Sequence, residues 1–317
     1  MKSPEDVMSL LGPPWDYVVG SYLYPLRLFT DSAVGDPGET ADIIRSFEIG
    51  GFVVSVTRSG GMFVPQPPDL QVPLGTLPPD LFPRRERFAL RISQAFNLLA
   101  CELSTQGSPA EPVSPMYIVR GNKRNGRAVV IFGGAAGPPI QTQRQIGALL
   151  ELLTPHWQMW PTVPVALLDN AGSLRVASAL APIGEALPAL VAGAYHQYAN
   201  QELAEASADA WIVAERILNR IWDSYVGAFP ADRQKRLSDE RTYSAAVRIE
   251  ILHSVGRLDD DAYRVWNDAR TARNGLLHRG VLSLEGAKAV MAAMCRAIQL
   301  ATGVIPAEPS MSSPVLW

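Results

Sequence analysis

Arg273, Asn274 and His278 stand together in the hexapeptide Arg-Asn-Gly-Leu-Leu-His. A guanidinium holds a phosphate through a planar fork of donors, and an imidazole exchanges protons near neutral pH. Together they are a minimal kit for cleaving RNA without a metal. The same residues also suit a plain helix end, with Arg273 solvated and His278 favoured by the negative end of the macrodipole. Spacing alone favours the plain alternative. An Arg five residues before a His arises by chance in roughly a third of chains of this length and composition. The surrounding elements must therefore decide its weight.

The chain has 317 residues, room for one large domain or two ordinary ones. With 47% hydrophobic and 19% charged residues it is expected to bury a core. A net charge of -3 supplies no global basic field, which argues against a long nucleic-acid groove while leaving room for a small local site. Cys101 and Cys295 form no metal-like or redox-like spacing and read as reduced thiols. The residues from Met1 to Pro13 do not resemble a signal peptide, and the apolar run Ile183 to Ala194 is broken by Glu185 and Pro188 and too short for a bilayer. The expectation is a soluble cytoplasmic protein.

The first half mixes strand and helix signals. Tyr22 to Phe29 alternates around Pro25, and Phe47 to Val56 is β-rich around Gly50-Gly51. Ser59 to Arg84, dense in Pro and Gly, reads as an extended loop. Phe88 to Leu103 follows helical spacing, with Gly107 as terminator. Met116 to Arg120 and Arg127 to Phe132 then flank a turn, Gly121 to Gly126, that contains Asn-Gly. Its tip carries Lys123, Arg124 and Arg127, which suit contact with a nucleic-acid backbone but more often mark a solvated turn. The run Gly133 to Gly137 is a poor phosphate loop, because Pro138-Pro139 follows and removes amide donors. Gln143 to Leu153 reads as a short helix, His156 with Trp157 and Trp160 as packing, and Val163 to Leu168 as a buried strand.

From about Ile183 helical periodicity takes over. Ile183 to Leu203 is one helix candidate, and Ser207 is placed to cap the next, with an apolar stripe from Trp211 to Tyr225. Glu240 to Val255 forms another. Asp259 to Asp261 put negative charge at the start of a helix running through Trp266 and Ala269 to Leu277, and Ser283 opens a last helix to about Ala301. Five short-looped helices predict an antiparallel bundle. The class expected is α+β: a mixed α/β N-terminal domain over 1–182, sensing or regulatory, a helical bundle over 183–303, and a loose tail over 304–317.

The hexapeptide now has a place. Arg273 lies four residues after Ala269 and seven after Trp266, on the apolar stripe. A guanidinium there needs a carboxylate, another chain or a ligand. Glu215, beside the Ala214 stripe, is the candidate carboxylate. Gly275 weakens the helix and Gly280 ends it, which would let His278 swing beside Arg273, although five residues of ideal helix keep the two apart.

The order of helices, with Arg273-Asn274 and His278 near the end of the penultimate one, resembles a HEPN domain. The resemblance spans roughly 183–303, and a C-terminal HEPN after a β-rich region is similar to ApeA-type proteins of bacterial antiphage defence. It implies a metal-independent endoribonuclease acting as a toxin in abortive infection, with no cofactor and no metal. It also implies a homodimer whose two motifs face one cleft, an RNA substrate (tRNA or another structured RNA) and a phage-derived trigger. In that setting Arg273 would hold the phosphate, His278 would act as general base or acid at the 2′-hydroxyl, and Asn274 would orient one of them. Glu215 would support the site from behind. Arg270 and Arg279 are candidate RNA contacts, with solvated helix charge as the plainer alternative. The rival function is a catalytically silent HEPN bundle used for dimerisation or ligand binding.

Overall fold

The computed structural model describes residues 16–23, 28–30, 42–71, 79–130, 162–239 and 241–311. Strands dominate the N-terminal part and helices the C-terminal part, so the α+β expectation holds. By contact the chain divides into two units, Met1–Phe96 with Val113–Val165, and Asn97–Pro112 with Ala166–Trp317. This division lies elsewhere than residue 183, because Val176, Ala177, Leu180 and Cys101 are buried in the same core as the later helices.

In the first unit, β1 (Asp16–Tyr22), β3 (Ile43–Ile49), β4 (Phe52–Thr57), β5 (Gly61–Pro65), β6 (Val119–Arg124) and β7 (Arg127–Val130) form one antiparallel sheet. The order across it is β3-β4-β5-β1-β6-β7. β2 (Leu28–Thr30) and β8 (Thr162–Pro164) make a separate parallel pair. The two edges of the large sheet meet at one end. Asp42 bridges Arg127, the Ile43 N–H donates to the Gly126 carbonyl at 2.7 Å, and Arg127 Nε donates to Asp42 Oδ1 at 3.0 Å. Val18, Phe63 and Ala128, with Ile43 against them, are brought together from four strands. Both hairpins turn as their glycines require: Gly50 and Gly51 have φ of 59° and 80°, and Asn125 and Gly126 have 50° and 77°.

Three local expectations change. The stretch Ser59 to Arg84 contains β5, because Met62, Phe63 and Val64 form a fully buried apolar run that outweighs the neighbouring prolines and glycines. The second hairpin is a two-residue turn, with Lys123 paired to Ala128 and Arg124 to Arg127 in register. Val163 to Leu168 is strand only to Pro164 and helix from Val165. The glycine run, the helix expected over Gln143 to Leu153 and His156 lie outside the described residues.

Helix α1 (Phe82–Thr105) ends near Gly107, whose φ of 84° no other residue adopts easily. The second unit continues with α2 (Val165–Ala171), α3 (Arg175–Leu180), α4 (Leu187–Ala199), α5 (Leu203–Val226), α6 (Ala231–Leu237), α7 (Ala245–Ser254), α8 (Asp260–Arg279) and α9 (Leu284–Thr302). α5 packs against α4, α7, α8 and α9 around Trp222, Trp266, Ile217 and Met291. Pro188 sits in the first turn of α4, where its missing N–H costs nothing, so it begins that helix rather than breaking it. Ser207 is not a cap: α5 starts at Leu203, and Ser207 is buried on its second turn. Asp259 and Ser283 do cap α8 and α9, accepting from the N–H of Ala262 at 2.8 Å and of Gly286 at 3.0 Å. The first part of the expected loose tail is pinned. The Ala307 N–H donates to the Thr105 carbonyl at 2.7 Å, and the Tyr195 hydroxyl donates to the Ala307 carbonyl at 2.7 Å.

Candidate functional site

Helix α8 carries the hexapeptide. Ala262, Trp266 and Ala269 place its inner face in the core, and the next residue on that row is Arg273, which is half-buried. The guanidinium carbon of Arg273 lies 5.9 Å from the centroid of the Trp211 ring on α5. Its Nη1 donates to Asn274 Oδ1 at 3.2 Å. Among the described residues, no carboxylate forms an ion pair with it. Glu215, one turn beyond Trp211 on α5, is half-buried but makes no such contact, so the expected Arg–Glu partnership gives way to an aromatic face and an amide.

The helix continues unbroken through Gly275 to Arg279, and Gly280 (φ 64°) closes it with its N–H bonded to the Leu276 carbonyl at 2.9 Å. The expected loosening at Gly275 is therefore absent. On a regular helix, five residues turn His278 well over a quarter-circle from Arg273 and about 7.5 Å along the axis. His278 is exposed, as are Leu277 at 59% and Val281 at 65% of their free surface. The two remaining histidines of the described residues are engaged. His196 is buried beside Asn200 Nδ2 at 3.0 Å, and His253 Nε2 lies 2.8 Å from Asp260 Oδ1 with its ring stacked on Tyr263.

The other candidates divide between the two units. Arg270 spends its guanidinium on Asn267 Oδ1, at 3.4 and 3.3 Å, so it is tied to its own helix. Arg279 lies back over Gly275: a Cβ built on Gly275 would stand 2.9 Å from Arg279 Nη2. Gly275 and Arg279 line a surface cleft of about 330 Å³ with Thr271, Ala272, Leu282 and Gly286, at the junction of α8 and α9. Lys123 and Arg124 belong to the β6–β7 hairpin of the first unit. Trp211 was visible beforehand only as one member of an apolar stripe. Its position beneath Arg273 depends on the register of two helices roughly sixty residues apart, which periodicity does not fix.

Chemically, the single chain offers a half-buried cation with one hydrogen bond from its guanidinium among the described residues, an amide beside it, and an exposed imidazole further along the same helix. Among the described residues no cluster of three or more His, Cys, Asp or Glu side chains is placed to hold a metal ion, and no helix is long and apolar enough to cross a membrane. No protein-family model, curated protein or solved structure matches the chain.

Proposed function

We propose that the helical unit is a HEPN-type, metal-independent endoribonuclease that acts as a dimer in antiphage defence, with Arg273, Asn274 and His278 as its working residues. The observation that carries this is Arg273 itself. A half-buried guanidinium ordinarily sits opposite a carboxylate, since desolvating it otherwise costs free energy. Here the described residues supply only a ring and one amide oxygen, and a phosphate oxygen pair fits the donors left over. His278, exposed and without a hydrogen-bond partner among the described residues, is free to take the proton of a 2′-hydroxyl as that oxygen attacks phosphorus; the P–O5′ bond breaks, and the imidazolium returns the proton to the leaving oxygen, giving a 2′,3′-cyclic phosphate and a 5′-hydroxyl end. Because His278 and Arg273 diverge on one unbroken helix, the phosphate held by one copy and the imidazole of the other are the natural pairing. The apolar side chains of Leu277 and Val281 beside His278 suit burial against a second copy.

The test is expression of wild type, Arg273→Ala and His278→Ala in a bacterial host, following growth and RNA integrity with and without chelator. Cleavage that persists in chelator and disappears in both variants supports the proposal. Intact RNA in the wild type under all conditions, phage infection included, overturns it. The same exposed Leu277 and Val281 also favour a second function, a catalytically silent dimerisation module. In that case the wild type dimerises and RNA stays intact.

A further inference from the structure

We propose that Trp211 is a positioning residue of the candidate site: its indole face holds the Arg273 guanidinium in place for phosphate binding. This rests on the ribonuclease function proposed above.

Three observations converge. The Arg273 guanidinium carbon is 5.9 Å from the Trp211 centroid, within the range where a cation and a ring attract, and Trp offers the strongest such face of the aromatic residues. Trp211 is 5% exposed and fixed in the core between helices, so the platform is rigid. The Trp211 Nε1–H is also buried without a hydrogen-bond partner among the described residues, as are the Ser207 hydroxyl one turn earlier on α5 and the Trp266 Nε1–H elsewhere in the core. A buried unpaired donor is a standing cost, and Phe at this position would avoid it. A ring cannot accept a proton or neutralise the guanidinium as Glu215 would, so the cation keeps its full charge and most of its donors for an anion. Asn274 completes the clamp from the side, holding Nη1 at 3.2 Å. A carboxylate in either place would compete with phosphate; a ring and an amide do not.

The experiment uses the full chain and four variants: Trp211→Phe, Trp211→Leu, Arg273→Ala, and the Trp211→Leu/Arg273→Ala double. Two quantities are read for each, KM and kcat for RNA cleavage and the Kd for a 2′-O-methyl RNA that cannot be cleaved, with circular dichroism to confirm folding. Loss of the platform should raise KM and Kd roughly 5- to 30-fold in Trp211→Leu, the span of a partly to fully desolvated cation–ring contact. kcat should change less, and Trp211→Phe should restore most of the binding. In the Arg273→Ala background Trp211→Leu should have no further effect on Kd. Should Trp211→Leu be too unstable to assay, Trp211→Phe made in both the native and the Arg273→Ala backgrounds carries the same cycle at smaller amplitude. The proposal is overturned if wild type cleaves RNA while Trp211→Leu binds equally well, or if its penalty persists undiminished without Arg273. A wild type that neither binds nor cleaves RNA overturns the ribonuclease function, and this role with it.

Discussion

Glu102 on α1 accepts a hydrogen bond from the backbone N–H of Val176, 74 residues later, at 2.5 Å, and a second from Ala177 at 2.8 Å. These are first-turn donors of α3, whose own N-cap, Leu174, has a φ of 49° and no capping side chain. A carboxylate from a distant helix therefore does the work that a local Ser or Asp does elsewhere. Burial raises the Glu102 carboxyl above the ordinary glutamate range, against the pull of the two backbone donors and Arg175. The folded chain thus holds this proton to higher pH than the unfolded chain does. Its contribution to stability is full below the unfolded pKa and is lost as pH rises through the raised folded value. Glu102→Gln, neutral throughout, escapes that loss. Urea midpoints measured from about pH 4 to 7 should shift in favour of the variant as pH rises; a shift toward wild type would contradict the assignment. Glu102→Ala, which strands both donors, should cost about 2 kcal/mol.

Gly20 pairs with Phe63 in the β1–β5 register and leaves no room for a side chain. A Cβ there would collide with the Met62 carbonyl oxygen and stand 2.6 Å from Phe63 Cδ1. Neither obstacle is the free end of a flexible chain, since Met62 presents backbone and Phe63 is fully buried. Gly20→Ala should destabilise the first unit by about 3 kcal/mol, seen as an earlier loss of sheet signal in thermal circular dichroism. Unaltered melting would mean that the two strands separate at little cost.

What was legible beforehand follows the range of the interactions. Asp259, Ser283 and Gly280 act within four residues of their own helix ends, so they declared α8 and α9 correctly. Arg273 on the inner row of α8 followed from its distance to Trp266 and Ala269. Its neighbour did not, because choosing Trp211 over Glu215 takes the crossing of α5 and α8. Ser207 misled because a capping residue type was placed by side-chain chemistry alone, whereas Leu203 already begins the helix. Glu102 and Ala307 were silent, since each acts on backbone far away in sequence and neither contact leaves a local pattern.

Tyr195 ties the start of the C-terminal segment to the helical core. Its hydroxyl donates to the Ala307 carbonyl at 2.7 Å and contacts Cys295 Sγ at 3.3 Å. Tyr195→Phe removes the donor and leaves a half-buried carbonyl with one hydrogen bond fewer, at about 1 kcal/mol. The sharper signature is local: limited proteolysis should cut after residue 303 faster in the variant than in wild type. Equal cleavage rates would show that the Thr105–Ala307 hydrogen bond suffices to hold the segment.

Gly275 separates stability from function at the candidate site. In the middle of a regular helix, Gly costs about 1 kcal/mol relative to Ala. The obstacles to a Cβ at this position are Arg279 Nη2 at 2.9 Å, the far end of a flexible side chain, and the Val281 carbonyl oxygen at an ordinary 3.6 Å. Arg279 can move aside, so Gly275→Ala should be neutral to stabilising by up to about 1 kcal/mol, raising the melting temperature by roughly 2–4 °C. The same change pushes Arg279 away from its place against Gly275 in the cleft between α8 and α9. If Arg279 contacts RNA from that position, the variant should be more stable yet bind RNA more weakly, with a shallower dependence on salt by about one counterion. Binding that keeps its affinity and salt dependence would remove Arg279 from the RNA-contacting residues. A fall in melting temperature would show instead that lodging Arg279 against Gly275 contributes more than helix propensity.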